Sequence, residues 1–387
     1  MATTSRTQTL GGRKLAFERV ALLLQGGGAL GSYQAGVYQA LQEAGVEPDW
    51  VAGISIGAIN CAIIAGNAPE TRIAQLKAFW DDVTAPPDYG VVDSWLALWQ
   101  GDLALSWANR LTAARTMATG APGFFTARLP SPMLLPSGAE GATSFYDTGA
   151  LKTTLERLVD FDRINAPGAM RFSVGAVNVR TGNFEYFDNT THRIRAEHVM
   201  ASGALPPGFG AVEIDGEYYW DGGVVSNTPL DWILASLPLL DTLTFQVDLW
   251  SAGGTVPRNL GEVAERLKEI QYSSRTRAST DHFRALQQAR TTVQQLLDTL
   301  PAAIANSPEA KALCELADPS VHNIVQLIYH SPPDELQSKD YNFSRGAMHA
   351  HWDQGHADAL RTLAHPEIFV RPTDSNGVQT FDFSRGQ

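Results

Sequence analysis

The first apolar positions form an unbroken run, Val20–Leu24. A short continuous run of this kind reads as a strand covered on both faces rather than one half open to water. Gly26, Gly27 and Gly28 follow, and Tyr33, Val37 and Leu41 then recur every four residues until Gly45, which predicts a helix. The pattern repeats at once. Trp50–Ile54 predicts a second short strand, and Gly57–Ala65, small and apolar all round, predicts a helix buried on every side. Two successive strand–turn–helix units place the chain in the α/β class.

Periodicity weakens from Asp82 to Ser144, where Pro, Gly and Trp accumulate, and the stretch 82–144 reads as an insertion. Within it Trp95, Trp99, Leu103, Trp107 and Leu111 sit at four-residue steps, a slowly drifting helical stripe interrupted by Gly101 and a candidate lid or interfacial surface. Packing of that stripe against the domain is the plainer reading. A helix is predicted over Thr148–Val159, and Arg171–Val179 and Asn183–Phe187 alternate as strands across Thr181-Gly182. Ala211–Ile214 and Glu217–Trp220 flank Asp215-Gly216, a strong hairpin signal because both central residues tolerate positive φ. Leu243–Leu249 and Asn323–Tyr329 read as further strands. Val263, Leu267 and Ile270, then Phe283, Leu286, Val293, Leu297 and Leu300, predict two amphipathic helices. The expected organisation is a loose tail at 1–15, a catalytic domain at 16–250, and a helical extension at 251–387 packed upon it.

Composition narrows the partners. Hydrophobic residues make up 44% of 387 and charged residues 18%, enough apolar material for a sizeable core. The net charge of −12 argues against nucleic acid, so any lipid contact would be mainly apolar. Oligomeric state does not follow from these patterns. Cys61 and Cys314 are too few for a disulfide framework, which fits a reducing, cytoplasmic setting. Val20–Leu24 is too short for a signal-peptide core, and no stretch approaches the ~18 apolar residues of a membrane span. A cytoplasmic protein is expected, at most peripheral on a membrane.

The chemistry concentrates in three places. Gly53-Ile54-Ser55-Ile56-Gly57 is a G-x-S-x-G set between strand and helix, where flanking glycines permit the sharp turn that exposes a hydroxyl. Ser55 could instead cap the helix. Gly26, Gly27 and Gly28 offer backbone amides ahead of a helix, suited to a developing oxyanion. With Gly31 they also satisfy the dinucleotide fingerprint G-x-G-x-x-G, the alternative of an NAD(P)-binding oxidoreductase. That alternative wants an acid at the end of the next strand. Glu47 and Asp49 precede that strand, and Gly53-Ile54-Ser55 occupies its end. None of the nine histidines sits in a loop tied by patterning to a core strand end. Asp221, followed by Gly222 and Gly223, does leave such a strand, and a buried carboxylate can take a hydroxyl proton. His349 and His351 lack zinc spacing, so no metal and no cofactor are expected.

Taken in order, Gly26–Gly31, Gly53–Gly57 and Asp221–Gly223 resemble the patatin-like phospholipase family over about residues 18–250. Ala201–Pro206 and Asn227-Thr228-Pro229 are similar to segments flanking that family's aspartate turn. The resemblance implies a three-layer sandwich with a central, mostly parallel sheet flanked by helices. It implies Ser55 as nucleophile, Asp221 as base, and Gly26, Gly27 and Gly28 as oxyanion hole, hence a Ser–Asp dyad cleaving fatty-acyl esters through an acyl-enzyme. A catalytically silent lipid-binding module is the remaining alternative. The family often has Arg or Lys where this chain has Leu30, so that source of attraction for a phosphate is missing. The stretch Lys339–Leu363 resembles an extension of a bacterial subgroup.

Overall fold

The computed structural model describes residues 9–10, 13–84, 115–332, 339–372 and 377–383. The tryptophan and leucine stripe at Trp95–Leu111 lies outside these residues.

The apolar run becomes β1 (Arg19–Leu24), buried at every position. Helix α1 (Gly31–Glu43) carries the chain to β2 (Trp50–Gly53), parallel to β1, and β2 passes directly into α2 (Ile56–Ala65), every residue of which is buried. On the other side of β1 lies β7 (Thr242–Asp248), followed by β8 (His322–Ile328) and β9 (Val378–Asp382), all parallel. Beyond β2 comes β3 (Arg171–Asn178), also parallel. Three antiparallel strands complete the nine-stranded sheet: β4 (Phe184–Asp188), β5 (Val212–Ile214) and β6 (Glu217–Asp221).

Apolar side chains leave β1 on both faces. Val20, Leu22 and Leu24 join the large core under α1 and α2, and Ala21 and Leu23 join a second core with Trp50, Leu230, Ile233 and Phe283. Two cores either side of one sheet make three layers, as expected.

Three expectations need correction. The stretch after residue 250 is not a helical extension packed on the domain: the strand expected at Asn323–Tyr329 is β8, and together with β9, for which no strand was expected, it lies within the central sheet. Part of the stretch expected as a loose tail is paired, since Thr9–Leu10 pairs with Arg13–Lys14 and Leu15 is buried. The two amphipathic helices are one, α3 (Leu260–Asp298), 39 residues long. No Gly or Pro breaks it between Ile270 and Phe283, and the Asn259 side chain caps its start, accepting from the amides of Gly261 and Glu262. Its first turns are also inverted. Leu260, Val263, Leu267 and Ile270 face solvent, whereas Glu265, Lys268 and Glu269 turn inward to ion-pair with Lys339 and Asp340.

Helix α4 (Arg345–Leu363) joins the late part of the chain to the early part by direct backbone contact with α1. A Cβ at Gly36 would lie 1.9 Å from the Trp352 carbonyl oxygen, and one at Gly355 would lie 2.0 Å from that of Tyr33. Around this contact the Tyr33 hydroxyl donates to Asp358 (3.0 Å) and the Trp352 indole to Gln39 (2.7 Å). Elsewhere in a helix, Gly→Ala stabilises by about 1 kcal/mol. Here steric overlap with backbone reverses the sign. Gly355→Val is expected to destabilise by about 2–3 kcal/mol, read as a lower urea midpoint with an unchanged slope.

Candidate active site

The register of β3 brings the site together. Residues Arg171–Val174 pair with β2, Ala176–Asn178 pair with β6, and Ser173–Val177 pair with β4. Because β4 shares residues with both of the others, β2 and β6 must lie along the same edge of β3. One is parallel to it and one antiparallel, so they meet by their C-terminal ends, Gly53 opposite Val174 and Asp221 opposite Ala176. Small residues allow the approach: a Cβ at Gly222 would lie 2.7 Å from the Gly175 carbonyl, and one at Gly175 would lie 2.7 Å from Ile54.

At the end of β2 the chain turns so sharply that Ser55 has φ 56° and ψ −124°. Such a conformation costs a residue with a side chain on the order of 1–3 kcal/mol. It is held by the Ser55 amide, which donates to both the carbonyl and the hydroxyl of Ser202, each at 3.1 Å. It also needs glycine on both sides, since a Cβ at Gly53 would strike the Gly57 backbone at 2.4 Å and one at Gly57 the Leu24 carbonyl at 2.1 Å. The Ser55 side chain does not cap α2, leaving its hydroxyl for other work.

Asp221 is fully buried. Its carboxylate accepts from the Gly223 amide at 2.7 Å and interacts with the Ser55 hydroxyl. Burial pushes the carboxyl up to about 7, with those two hydrogen bonds acting in the opposite direction. Asp248, buried where β7 ends, is likewise raised to about 7 by burial, opposed by Gln246 and Thr228.

The three glycines of the first loop do different things. The Gly26 amide is directed at the Asn227 carbonyl (3.4 Å), and the Gly26 carbonyl accepts from Asn227 Nδ2 and Trp250 Nε1, both at 2.9 Å. Gly26 is therefore an anchor. Among the described residues no acceptor takes the amides of Gly27 or Gly28. Gly28 has φ +57°, and a Cβ there would lie 2.3 Å from the Asp340 carbonyl oxygen; at Gly27 it would meet Leu249 at 2.7 Å. Gly31 serves packing, with Ile56 where its Cβ would be (2.4 Å), and Leu30 is wholly buried.

These elements open on a cavity of about 330 Å³. Ser55, Asp221 and the glycine loop line one part of it. Phe124, Phe125, Tyr146, Phe209 and Phe343 line another, with ring centroids 5.0–6.1 Å apart in edge or tilted contacts. No histidine lines it among the described residues, nor do those residues hold a cluster of three or more metal-ligating side chains.

Several contributors carried no local signal. Trp250 sits just past the end of β7, and Tyr272, Asp340, Tyr341 and Phe343 reach the cavity from the stretch expected to be an appendage. Asp340 is tied to Lys268 at 2.8 Å and Lys339 to Glu265 and Glu269 at 2.8 and 3.1 Å, so that strap is fixed by charge pairs.

An α/β fold presenting a strained serine where parallel strands end, over an apolar cavity, defines the class. A family model described as patatin-like phospholipase matches residues 22–232, more than half of the chain, and one described as patatin phospholipase matches residues 270–375. The chain belongs to the patatin-like phospholipase family, a family of lipid ester hydrolases. It is 50% identical over 56 residues to lysophospholipase nte1 of Aspergillus terreus, which is 14% of this chain and 4% of that protein. It is 43% identical over 68 residues to human patatin-like phospholipase domain-containing protein 6, and 38% identical over 68 residues to Drosophila melanogaster neuropathy target esterase sws. Each of those matches covers 18% of this chain and 5% of the relative. The matched stretch is thus a small part of these much longer relatives. VipD of Legionella pneumophila, a solved structure, aligns over 95% of this chain and 72% of its own with 15% identity and a TM-score of 0.40.

The raised carboxyls set a pH dependence of stability. In the unfolded chain an Asp titrates near ~3.9, so the folded state binds the proton more tightly than the unfolded state. The stability this contributes is complete below about 3.9 and is lost as pH rises through about 7. Asp248→Asn removes one of the two groups, and the fall in urea midpoint between pH 5 and pH 8 is expected to shrink.

Proposed function

We propose that this protein is a serine lipid acyl hydrolase, a phospholipase A or carboxylesterase that cleaves fatty-acyl esters. Ser55 Oγ attacks the ester carbonyl carbon while its proton passes to Asp221. The carbonyl oxygen becomes the oxyanion and accepts from the Gly27 and Gly28 amides, which have no protein acceptor among the described residues, while Gly26 fixes the loop through Asn227 and Trp250. The C–O bond of the ester then breaks, the departing alcohol takes the proton from Asp221, and the acyl group remains on Ser55. Water gives a proton to Asp221 and its oxygen attacks the acyl-enzyme. Return of that proton to Ser55 Oγ releases the fatty acid. The whole cycle uses groups of this chain and water.

The observation that carries this reading is the buried Asp221 carboxyl beside Ser55. In water a carboxylate is a weak base, but a group raised to about 7 is matched to proton transfer near neutrality. The aromatic part of the cavity suits an acyl chain, and the names of the relatives, a lysophospholipase and an esterase, accord with a lipid ester. The head group is left open, since buried Leu30 offers no charge to a phosphate. The substrate would lie in a membrane, with the enzyme peripheral on its cytoplasmic face. We read residues 16–250 as the part that supplies the reacting groups and 251–387 as the part that closes the cavity around them. The dinucleotide alternative fares worse, because the Asp340 carbonyl lies against Gly28, where a pyrophosphate would need close approach.

With p-nitrophenyl butyrate and a fluorophosphonate probe, Ser55→Ala is expected to abolish both turnover and labelling; labelling that survives would remove Ser55 as nucleophile. Asp221→Asn should lower kcat by about 10²–10⁴-fold. In the wild type kcat/KM should climb with pH and level off above about 7, because Asp221 must be ionised to act. Trp250→Phe deletes one of the two side-chain hydrogen bonds on Gly26 and is expected to lower kcat about tenfold with KM little changed. An equal loss confined to KM would show that the loop binds ground state and transition state alike.

A further inference from the structure

Five large apolar side chains are exposed at the cavity and on the loop that springs from its edge at Arg128 and Phe145. Met117 and Phe145 line the cavity and also reach solvent. Leu129, Met133 and Leu134 are 92%, 81% and 78% exposed. They belong to one framework: the Tyr146 hydroxyl donates to the Met117 carbonyl (2.7 Å), and the Arg128 amide, next to Leu129, donates to the Phe145 carbonyl (2.9 Å).

The loop that carries the last three is held in place. Arg128 pairs with Asp147 at 3.1 Å and donates to Ser144 at 3.2 Å, and a 3-10 turn at Pro132–Leu134 is closed by the Leu134 amide on the Ser131 carbonyl at 2.9 Å. Held this way, the loop leaves Leu129, Met133 and Leu134 facing outward. Exposed apolar clusters next to a cavity mark contact surfaces rather than incidental exposure.

We propose that Met117, Leu129, Met133, Leu134 and Phe145 form the rim by which this protein docks on a lipid bilayer, inserting into its apolar layer. The occupant follows from continuity. An acyl chain moving from a bilayer into the aromatic cavity crosses this mouth, and with the rim in water every methylene would be exposed on the way. A rim seated in hydrocarbon makes the route apolar from end to end. Charge points the same way: at −12 the chain gains nothing overall from anionic head groups, so docking is apolar and insensitive to salt. The proposal takes its route argument from the lipid acyl hydrolase reading, but its test does not require turnover.

Sedimentation with phosphatidylcholine vesicles would use Ser55→Ala as parent, so that the lipid stays intact. Adding Leu129→Ser, Met133→Ser and Leu134→Ser together is expected to lower partitioning about 100-fold, in 0.1 M and 0.5 M NaCl alike. A pair on the outward face of α3, Leu260→Ser with Leu267→Ser, should leave it unchanged. The same rim triple in the Ser55 background should hydrolyse p-nitrophenyl butyrate within about twofold of wild type, which shows that the fold survives, while losing activity on vesicles. The rim is overturned if the parent fails to bind phosphatidylcholine, if the triple binds as well as the parent, or if the α3 pair abolishes binding and the triple does not. Binding that requires anionic lipid and disappears in 0.5 M NaCl overturns it too. A wild type that binds through the rim yet cleaves no ester would instead defeat the hydrolase reading alone.

Discussion

Everything at this site depends on two strands sharing one edge of β3 and meeting by their C-terminal ends. Parallel strands alone would deliver Ser55 and leave Asp221 far from it, since a strand end needs a neighbour to be positioned. By pairing β6 antiparallel just beyond β2, the sheet sets Gly53 and Asp221 two residues apart along β3. Gly175 and Gly222 are small because that junction leaves no room for side chains. A slip of one residue in the β6 register would turn the carboxylate to the opposite face of the sheet.

The same junction excludes water, and the electrostatics follow. Asp221 keeps few partners, so its charged form is penalised, and the hydroxyl of Ser55 is among the groups that offset the penalty. An ion pair with a cation would instead hold the carboxyl low. Near the cavity Lys268 pairs with Asp340, and Lys339 with both Glu265 and Glu269. Their pairing fixes the strap and leaves the environment of Asp221 to burial.

What the sequence revealed and what it hid divide along physical lines. The serine elbow was legible because its geometry demands glycines at fixed offsets from Ser55. Asp221 was legible because Asp215-Gly216 fixes a hairpin and thereby a strand end. Both are local requirements written into local residues. The edge shared by β2 and β6 was not legible, since pairing partners are chosen by the whole sheet. Nor was the division of labour within the glycine loop, where Gly26 differs from Gly27 and Gly28 only because Asn227 and Trp250 arrive from more than 200 residues away. The sequence pattern also misjudged α3. An amphipathic stripe reports that one face is apolar but does not say which face meets the core, and here Glu265, Lys268 and Glu269 take the inner side.

The contact between Asp340 and Gly28 carries a consequence for the order in which the molecule is made. Ribosomal synthesis delivers the glycine loop, Ser55 and Asp221 well before residue 340 leaves the exit tunnel. Until then the loop has Asn227 and Trp250 beneath it but nothing against Gly28, whose left-handed backbone the Asp340 carbonyl backs in the finished fold. Domains tend to acquire their structure from the N-terminus as they emerge. A nascent chain therefore holds Ser55 and Asp221 while its glycine loop still lacks the support that Asp340 brings.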